Sequence, residues 1–242
     1  MKLTILGCNG PFSAKGGACS GYLFEHGDTA LLADCGSGVL EKLMAHIEPS
    51  RLSAVLLSHL HFDHIADMPI FGYYMQFKDM LEPPAPAIPI FAPASPLTER
   101  GLLSSPYFAL SNLFNGFNQS FGSISVTAFK ATHSLETYAL KFEANGTSIF
   151  YTADTRMSRE IIAAAAGCRL LLCDAVLPQR LVTDKTPHMS ALDAGELAHQ
   201  CGCETLILTH LCPLIDSDEI LKEAKSRFEN TFLAASGSTY IV

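Results

Sequence analysis

Seven residues, Ser58-His59-Leu60-His61-Phe62-Asp63-His64, hold three imidazoles and a carboxylate in the order His-x-His-x-Asp-His. So many basic nitrogens beside one carboxylate are best accommodated around a cation. The mixed nitrogen and oxygen donor set favours zinc, with manganese or iron as alternatives. The plain alternative is a histidine-rich surface turn. It is disfavoured because an apolar run, Leu52 to Leu57, leads straight into the motif. That run has the length and burial pattern of a core strand, and it stops where the histidines begin. His59 and His61 are then two apart at a strand tip and can point the same way. Asp63 and His64 follow at the turn into a helix.

The elements needed to hold such a site can be read along the chain. His133, Asp154 and His210 each follow a segment that reads as a strand: Ile124 to Phe129, Ser148 to Thr152 and Thr205 to Thr209. Further strands are expected over Lys2 to Leu6, Ile88 to Phe91, Tyr138 to Glu143, Leu170 to Asp174 and near Phe232. Tyr22 to Glu25 and Thr29 to Ala33 read as a hairpin. Asn145-Gly146 is the preferred signal for a tight hairpin turn. Helical patterns cover Val39 to Ile47, Ile65 to Met80, Met157 to Ala166 and Ser217 to Phe228, and a weaker one covers Leu97 to Phe114. Another helix runs to about Gln200, with Ser190 as its N-cap and Asp193 in its first turn. Strands that alternate with helices and end in polar residues suggest two sheets packed face to face, with helices outside and the polar cluster along one edge.

This series, His59-x-His61-x-Asp63-His64 followed by His133, Asp154 and His210, resembles the metallo-β-lactamase superfamily over essentially the whole chain. Asp34-Cys35-Gly36-Ser37-Gly38, Tyr151-Thr152-Ala153-Asp154-Thr155 and Leu208-Thr209-His210-Leu211 are further similar to its tRNase Z-like, short-form branch. The resemblance implies an α/β fold, a four-layer αββα sandwich, as one domain over residues 1–242. It implies two zinc ions, the first held by His59, His61 and His133, the second by Asp63, His64 and His210, with Asp154 between them. It also implies hydrolysis by a metal-bridging hydroxide, with Asp63 orienting or deprotonating the water that supplies it. His188, in Pro187-His188-Met189-Ser190, resembles the family histidine that protonates a leaving oxygen or holds a phosphate; its plain alternative is a structural histidine near a helix start. Asp34 reads equally well as a support for a ligand imidazole or as a turn residue. Asp67 reads equally well as such a support or as a solvated helix carboxylate.

The substrate is read from departures. True tRNase Z enzymes carry a basic arm between the counterparts of His133 and Asp154, where this chain has room only for a hairpin. Lys and Arg number 16 against 24 Asp and Glu, a net charge of −8. That balance argues against a broad nucleic-acid surface. The expected function is therefore a phosphodiesterase on a small or flexible phosphodiester, without efficient precursor-tRNA processing. The alternatives are a lactone, thioester or β-lactam hydrolase of the same superfamily, or a metal-binding sensor without turnover. The eight cysteines form no C-x-x-C pair, and no secretory signal is recognisable. Reduced thiols and a cytoplasmic location are expected, with Cys35 and Cys173 as small core residues. No apolar run reaches the roughly 18–20 residues of a membrane span. The aromatic residues from Phe71 to Phe121 are expected to divide between core, site wall and a homodimer contact.

Overall fold

The computed structural model describes residues 1–83 and 85–242. Its strands are β1 (Lys2–Gly7), β2 (Gly21–His26), β3 (Thr29–Ala33), β4 (Ala54–Leu56), β5 (Ile88–Ala92), β6 (Phe108–Asn112) and β7 (Asn118–Phe121). They continue with β8 (Ile124–Lys130), β9 (Tyr138–Ala144), β10 (Thr147–Tyr151), β11 (Leu170–Asp174), β12 (Thr205–Thr209), β13 (Thr231–Leu233) and β14 (Thr239–Ile241). The helices are α1 (Val39–Met44), α2 (Phe62–Ile65), α3 (Met68–Leu81), α4 (Leu97–Gly101), α5 (Arg159–Ala165), α6 (Ala191–Cys201) and α7 (Ser217–Lys225).

The strands form two seven-stranded sheets, in the orders β14-β1-β2-β3-β4-β5-β6 and β13-β12-β11-β10-β9-β8-β7. Three apolar seams follow from the alternation of their side chains. The central seam joins the sheets through residues such as Leu3, Phe24, Leu31, Phe142, Ile149 and Leu172. There Phe24 of one sheet stacks on Phe142 of the other, with ring centroids 3.7 Å apart. A second seam, including Leu32, Val39, Leu43, Val55, Met68 and Phe71, seats α1 and α3 on the first sheet. The third, including Phe150, Ile161, Leu171, Leu197, Leu208 and Ile220, seats α5, α6 and α7 on the second. The result is the four-layer αββα sandwich.

Sequence and structure differ most between residues 97 and 114. The weak helical pattern there yields only α4; Phe108 to Asn112 instead pairs in parallel with β5 as an edge strand. Its side chains alternate between core and solvent, and Phe108 packs against Phe71 of α3. Tertiary pairing thus overrides a weak local preference. The short strands β7 and β14 also lack a clear signal in the sequence. Helix α1 stops at Met44, short of Ile47. Of the aromatics from Phe71 to Phe121, Phe71, Phe91, Phe108, Phe117 and Phe121 are buried, whereas Tyr73, Phe77 and Phe114 are exposed. Pro84, in the proline-rich link before β5, lies outside the described residues.

Other local expectations agree with the fold. Asn145 and Gly146 both take positive φ, 50° and 75°, the requirement of a type I′ turn, and they close a short hairpin between β9 and β10. Ser190 caps α6 in a reciprocal capping box with Asp193. Cys35 and Cys173 are fully buried, and all eight cysteines are free thiols. No described helix is long and apolar enough to cross a membrane.

Candidate metal centre

One edge of the sandwich collects the polar residues for a topological reason. Strands β3 and β4 run parallel, as do β10, β11 and β12. Strand β8 is antiparallel to β9, which is antiparallel to β10, so β8 and β10 also point the same way. Their carboxyl ends deliver Asp34, His59, His133, Asp154, Asp174 and His210. Asp34, Ala153 and His210 take left-handed backbone, with φ of 58°, 52° and 57°. Outside glycine such conformations carry strain, of order 1–3 kcal/mol each, and persist where the surroundings over-determine them. Here they sit at or beside site residues.

Three groups of donor atoms converge, the third being Asp154, Asp174, His188 and His210. In the first, His61 Nδ1 lies 3.0 Å from His59 Nε2 and 3.2 Å from His133 Nε2. Ligand atoms of a tetrahedral zinc, at about 2.0–2.1 Å from the ion, lie roughly 3.3 Å apart. The observed spacing is close to that. In the second, Asp63 Oδ2 lies 3.0 Å from His210 Nε2 and 3.7 Å from His64 Nε2. Asp154 stands between them. Its Oδ2 is 3.6 Å from His59 Nε2 and 3.4 Å from His210 Nε2, and its Oδ1 is 3.4 Å from His64 Nε2. The structure therefore brings together every residue expected from the motif series.

Polar contacts behind these groups fix which nitrogens face inward. Asp34 accepts hydrogen bonds from the Ser58 backbone N–H, the Ser58 hydroxyl, the Tyr151 hydroxyl and His64 Nδ1–H. Its role is to orient His64, which resolves the choice that the sequence left open. Asp67 does something else: its Oδ2 accepts the Leu40 N–H at 2.9 Å and anchors α1. His133 donates from Nδ1 to the Pro187 carbonyl at 3.0 Å. His188 donates from Nδ1 to Asp174 Oδ2 at 2.8 Å, and that Nδ1 lies 3.9 Å from Asp154 Oδ2. Asp174 also places Oδ1 3.5 Å from His210 Nδ1. Sequence reasoning missed Asp174, although it ends a buried strand as the other site residues do, and that position was the available signal.

The electrostatics fit a resident cation. His64 Nε2 and Asp154 Oδ1 are buried without a hydrogen-bond partner. Buried polar atoms of this kind call for an ion or an equivalent. Burial pushes the His59, His61 and His133 pKa values down, so these rings are neutral and offer lone pairs. Burial would also lower His64, but Asp154 and Asp34 outweigh it and lift the ring to about 10. Protein charge alone thus makes His64 hold a proton where its Nε2 meets Asp154. Metal binding displaces such protons. For His188 too, burial lowers the pKa, but Asp174 outweighs it and the net shift is upward.

An αββα sandwich with paired histidine and aspartate groups on one edge defines a metal-dependent hydrolase of the metallo-β-lactamase fold. The chain belongs to the β-lactamase superfamily, whose domain model matches residues 29–211. It is 32% identical over 248 residues to "Probable metallo-hydrolase YhfI" of Bacillus subtilis, covering 98% of each chain. The crystal structure of YhfI superposes with a TM-score of 0.92 at 31% identity, covering 99% of both chains. A ribonuclease Z of Mycolicibacterium gilvum is 26% identical over 264 residues, 95% of this chain and 91% of that one. Human short-form tRNase Z shares the fold at a TM-score of 0.78 and 17% identity, covering 100% and 99% of the two chains.

Proposed function

We propose that this chain is a dinuclear zinc-dependent phosphodiesterase acting on a small or flexible phosphodiester. In this reading His59, His61 and His133 would hold one ion, Asp63, His64 and His210 would hold the other, and Asp154 would serve both. Two such ions would supply Lewis acidity and a water acidified to near neutral pH. The observation that carries the phosphodiester reading is His188. Its imidazole is held by Asp174 at 2.8 Å and lies beside the paired groups, in a cluster with Asp154, Asp174 and His210.

The Asp174 carboxylate fixes the ring with its proton on Nδ1, so Nε2 is the atom free to face substrate. The raised pKa of His188 suits a group that binds a phosphoryl oxygen or gives a proton to a departing alkoxide. Asp63 would orient the attacking water or take its proton. Relatives named ribonuclease Z support the reading, because that activity breaks phosphodiester bonds. The test is one metal-replete preparation offered bis(p-nitrophenyl) phosphate, cyclic nucleotides, lactones and thioesters. Turnover of the phosphodiesters is expected. Turnover of only lactones or thioesters would move the chain to carboxylic-ester chemistry, and metal binding without any turnover would make it a sensor.

A further inference from the structure

Beside the metal centre lies a cavity of about 290 Å³ whose lining includes His133, Arg156 and Lys185 with the hydroxyl residues Thr132, Ser134 and Thr186. His133 is a wall common to both. Its Nε2 faces His61 at 3.2 Å, and its Nδ1 is fixed on the Pro187 carbonyl, one residue before His188. Arg156 follows Asp154 by two positions, and its backbone N–H donates to the Thr132 carbonyl at 3.0 Å. The cavity is therefore tied by backbone to the residues that carry the metal groups.

Its charge is unlike that of the rest of the molecule. The chain as a whole carries −8, yet no carboxylate lines this cavity. Among the described residues, neither Arg156 nor Lys185 has a carboxylate within ion-pair distance, whereas Arg180, five residues before Lys185, is paired with Glu219. Arg156 uses one guanidinium nitrogen, Nη2, on the Thr183 carbonyl at 3.3 Å. The other N–H groups of that fork remain available. The Thr183 to Thr186 turn that presents Lys185 is braced internally, with the Thr183 N–H on the Thr186 hydroxyl at 2.9 Å and the Thr186 N–H on the Thr183 carbonyl at 3.0 Å. Arg156 thus holds the turn that carries the second cation. A planar guanidinium, an ammonium and hydroxyl groups around one space make a receptor for a tetrahedral or planar oxyanion.

We infer that this cavity is a specificity subsite for a second anionic group, so that the substrate is a small phosphodiester bearing a terminal phosphate or carboxylate a few bonds from the scissile phosphorus. The inference rests on the phosphodiesterase reading for the scissile bond. The cavity, at about 290 Å³, has room for one phosphate and part of its sugar.

The test compares a dinucleotide with and without a 5′-phosphate on zinc-loaded enzyme, wild type and Arg156→Gln/Lys185→Gln. Wild type is expected to show a KM lower by about 10–100-fold for the phosphorylated substrate, the scale of hydrogen bonds to charged groups. The double variant should bring the two KM values together while kcat changes little. Equal KM values in wild type, or a preference that survives in the variant, would overturn the subsite. Should neither dinucleotide be cleaved, the phosphodiesterase reading fails for such substrates, and calorimetry still decides the subsite. A nucleoside 3′,5′-bisphosphate should then bind wild type more tightly than the 5′-monophosphate, and the variant should lose that difference; no difference in wild type would overturn it. A phosphorylated carboxylic acid, 3-phosphoglycerate, is the arm that separates the two anions: variant-sensitive binding tighter than that of the bisphosphate assigns the cavity to carboxylate, and weaker binding assigns it to phosphate.

Discussion

Asp34 Oδ2 accepts the His64 Nδ1–H at 2.8 Å, and the same oxygen takes the Tyr151 hydroxyl, from the opposite sheet, at 2.8 Å. One carboxylate therefore joins the two sheets and holds the His64 ring by Nδ1, so that Nε2 faces Asp154. Because Asp34 is fully buried and its backbone is left-handed, it has little freedom to rearrange.

Asp34→Asn should accordingly lower metal affinity by about 10–100-fold, the usual effect of removing a carboxylate behind a ligand imidazole. Competition with a chelator of known affinity measures it. Asp67→Asn is the control: Asp67 anchors α1 rather than an imidazole, so its metal affinity should stay near wild type. Equal losses in both variants would contradict the distinction.

Gly10 is the site's steric limit. A Cβ at that position would sit 2.1 Å from His210 Nε2. Gly10→Ala must push the His210 ring away from Asp63, and should empty the group that His210 completes while leaving far-UV circular dichroism unchanged. Gly101→Ala, with nothing within 4 Å of its added carbon, should keep full metal content. Full occupancy in Gly10→Ala, measured by elemental analysis, would show that His210 is not needed there.

His188→Ala should cut phosphodiester turnover by about 10²–10⁴-fold, the range for general acid–base groups. Metal content should remain near wild type. Loss of metal would reassign His188 to the coordinating set, a role its 3.9 Å approach to Asp154 keeps within reach. Unchanged turnover would leave it with a structural role only.

Most of the sandwich and the motif residues were legible because most strands that lead to a ligand-type residue are short apolar runs with a sharp polar stop. Leu170 to Asp174 and Thr205 to Thr209 match their strands residue for residue. What stayed hidden depends on three-dimensional partners. Phe108 to Asn112 becomes a strand only because β5 is there to pair with it. Asp174 differs from other strand-end polar residues only through the approach of His188 and His210, from 14 and 36 residues further along the chain. The equal readings of Asp34 and Asp67 were separable only by what each carboxylate touches.

Precursor tRNA should be a poor substrate. Affinity for long nucleic acids comes largely from cations that displace counterions along the phosphates. The chain has 16 Lys and Arg against 24 Asp and Glu, and the β9–β10 hairpin leaves no arm between His133 and Asp154. Arg100, the one cation from residues 80 to 103, is occupied by the Ala92, Pro93 and Ser111 carbonyls and by Asn112. Side-by-side assay of a precursor tRNA and a small phosphodiester at moderate salt should favour the small ester in kcat/KM. Efficient 3′-end cleavage, above that of the small ester, would contradict this.

The most direct measurement is a zinc titration of chelator-stripped protein, following hydrolysis of bis(p-nitrophenyl) phosphate at each step. His59, His61 and His133 on one side of Asp154, and Asp63, His64 and His210 on the other, predict that activity rises until two equivalents per chain are bound and then stops. Saturation at one equivalent, or a fully loaded protein that leaves this and every other phosphodiester intact, would contradict the two-ion phosphodiesterase.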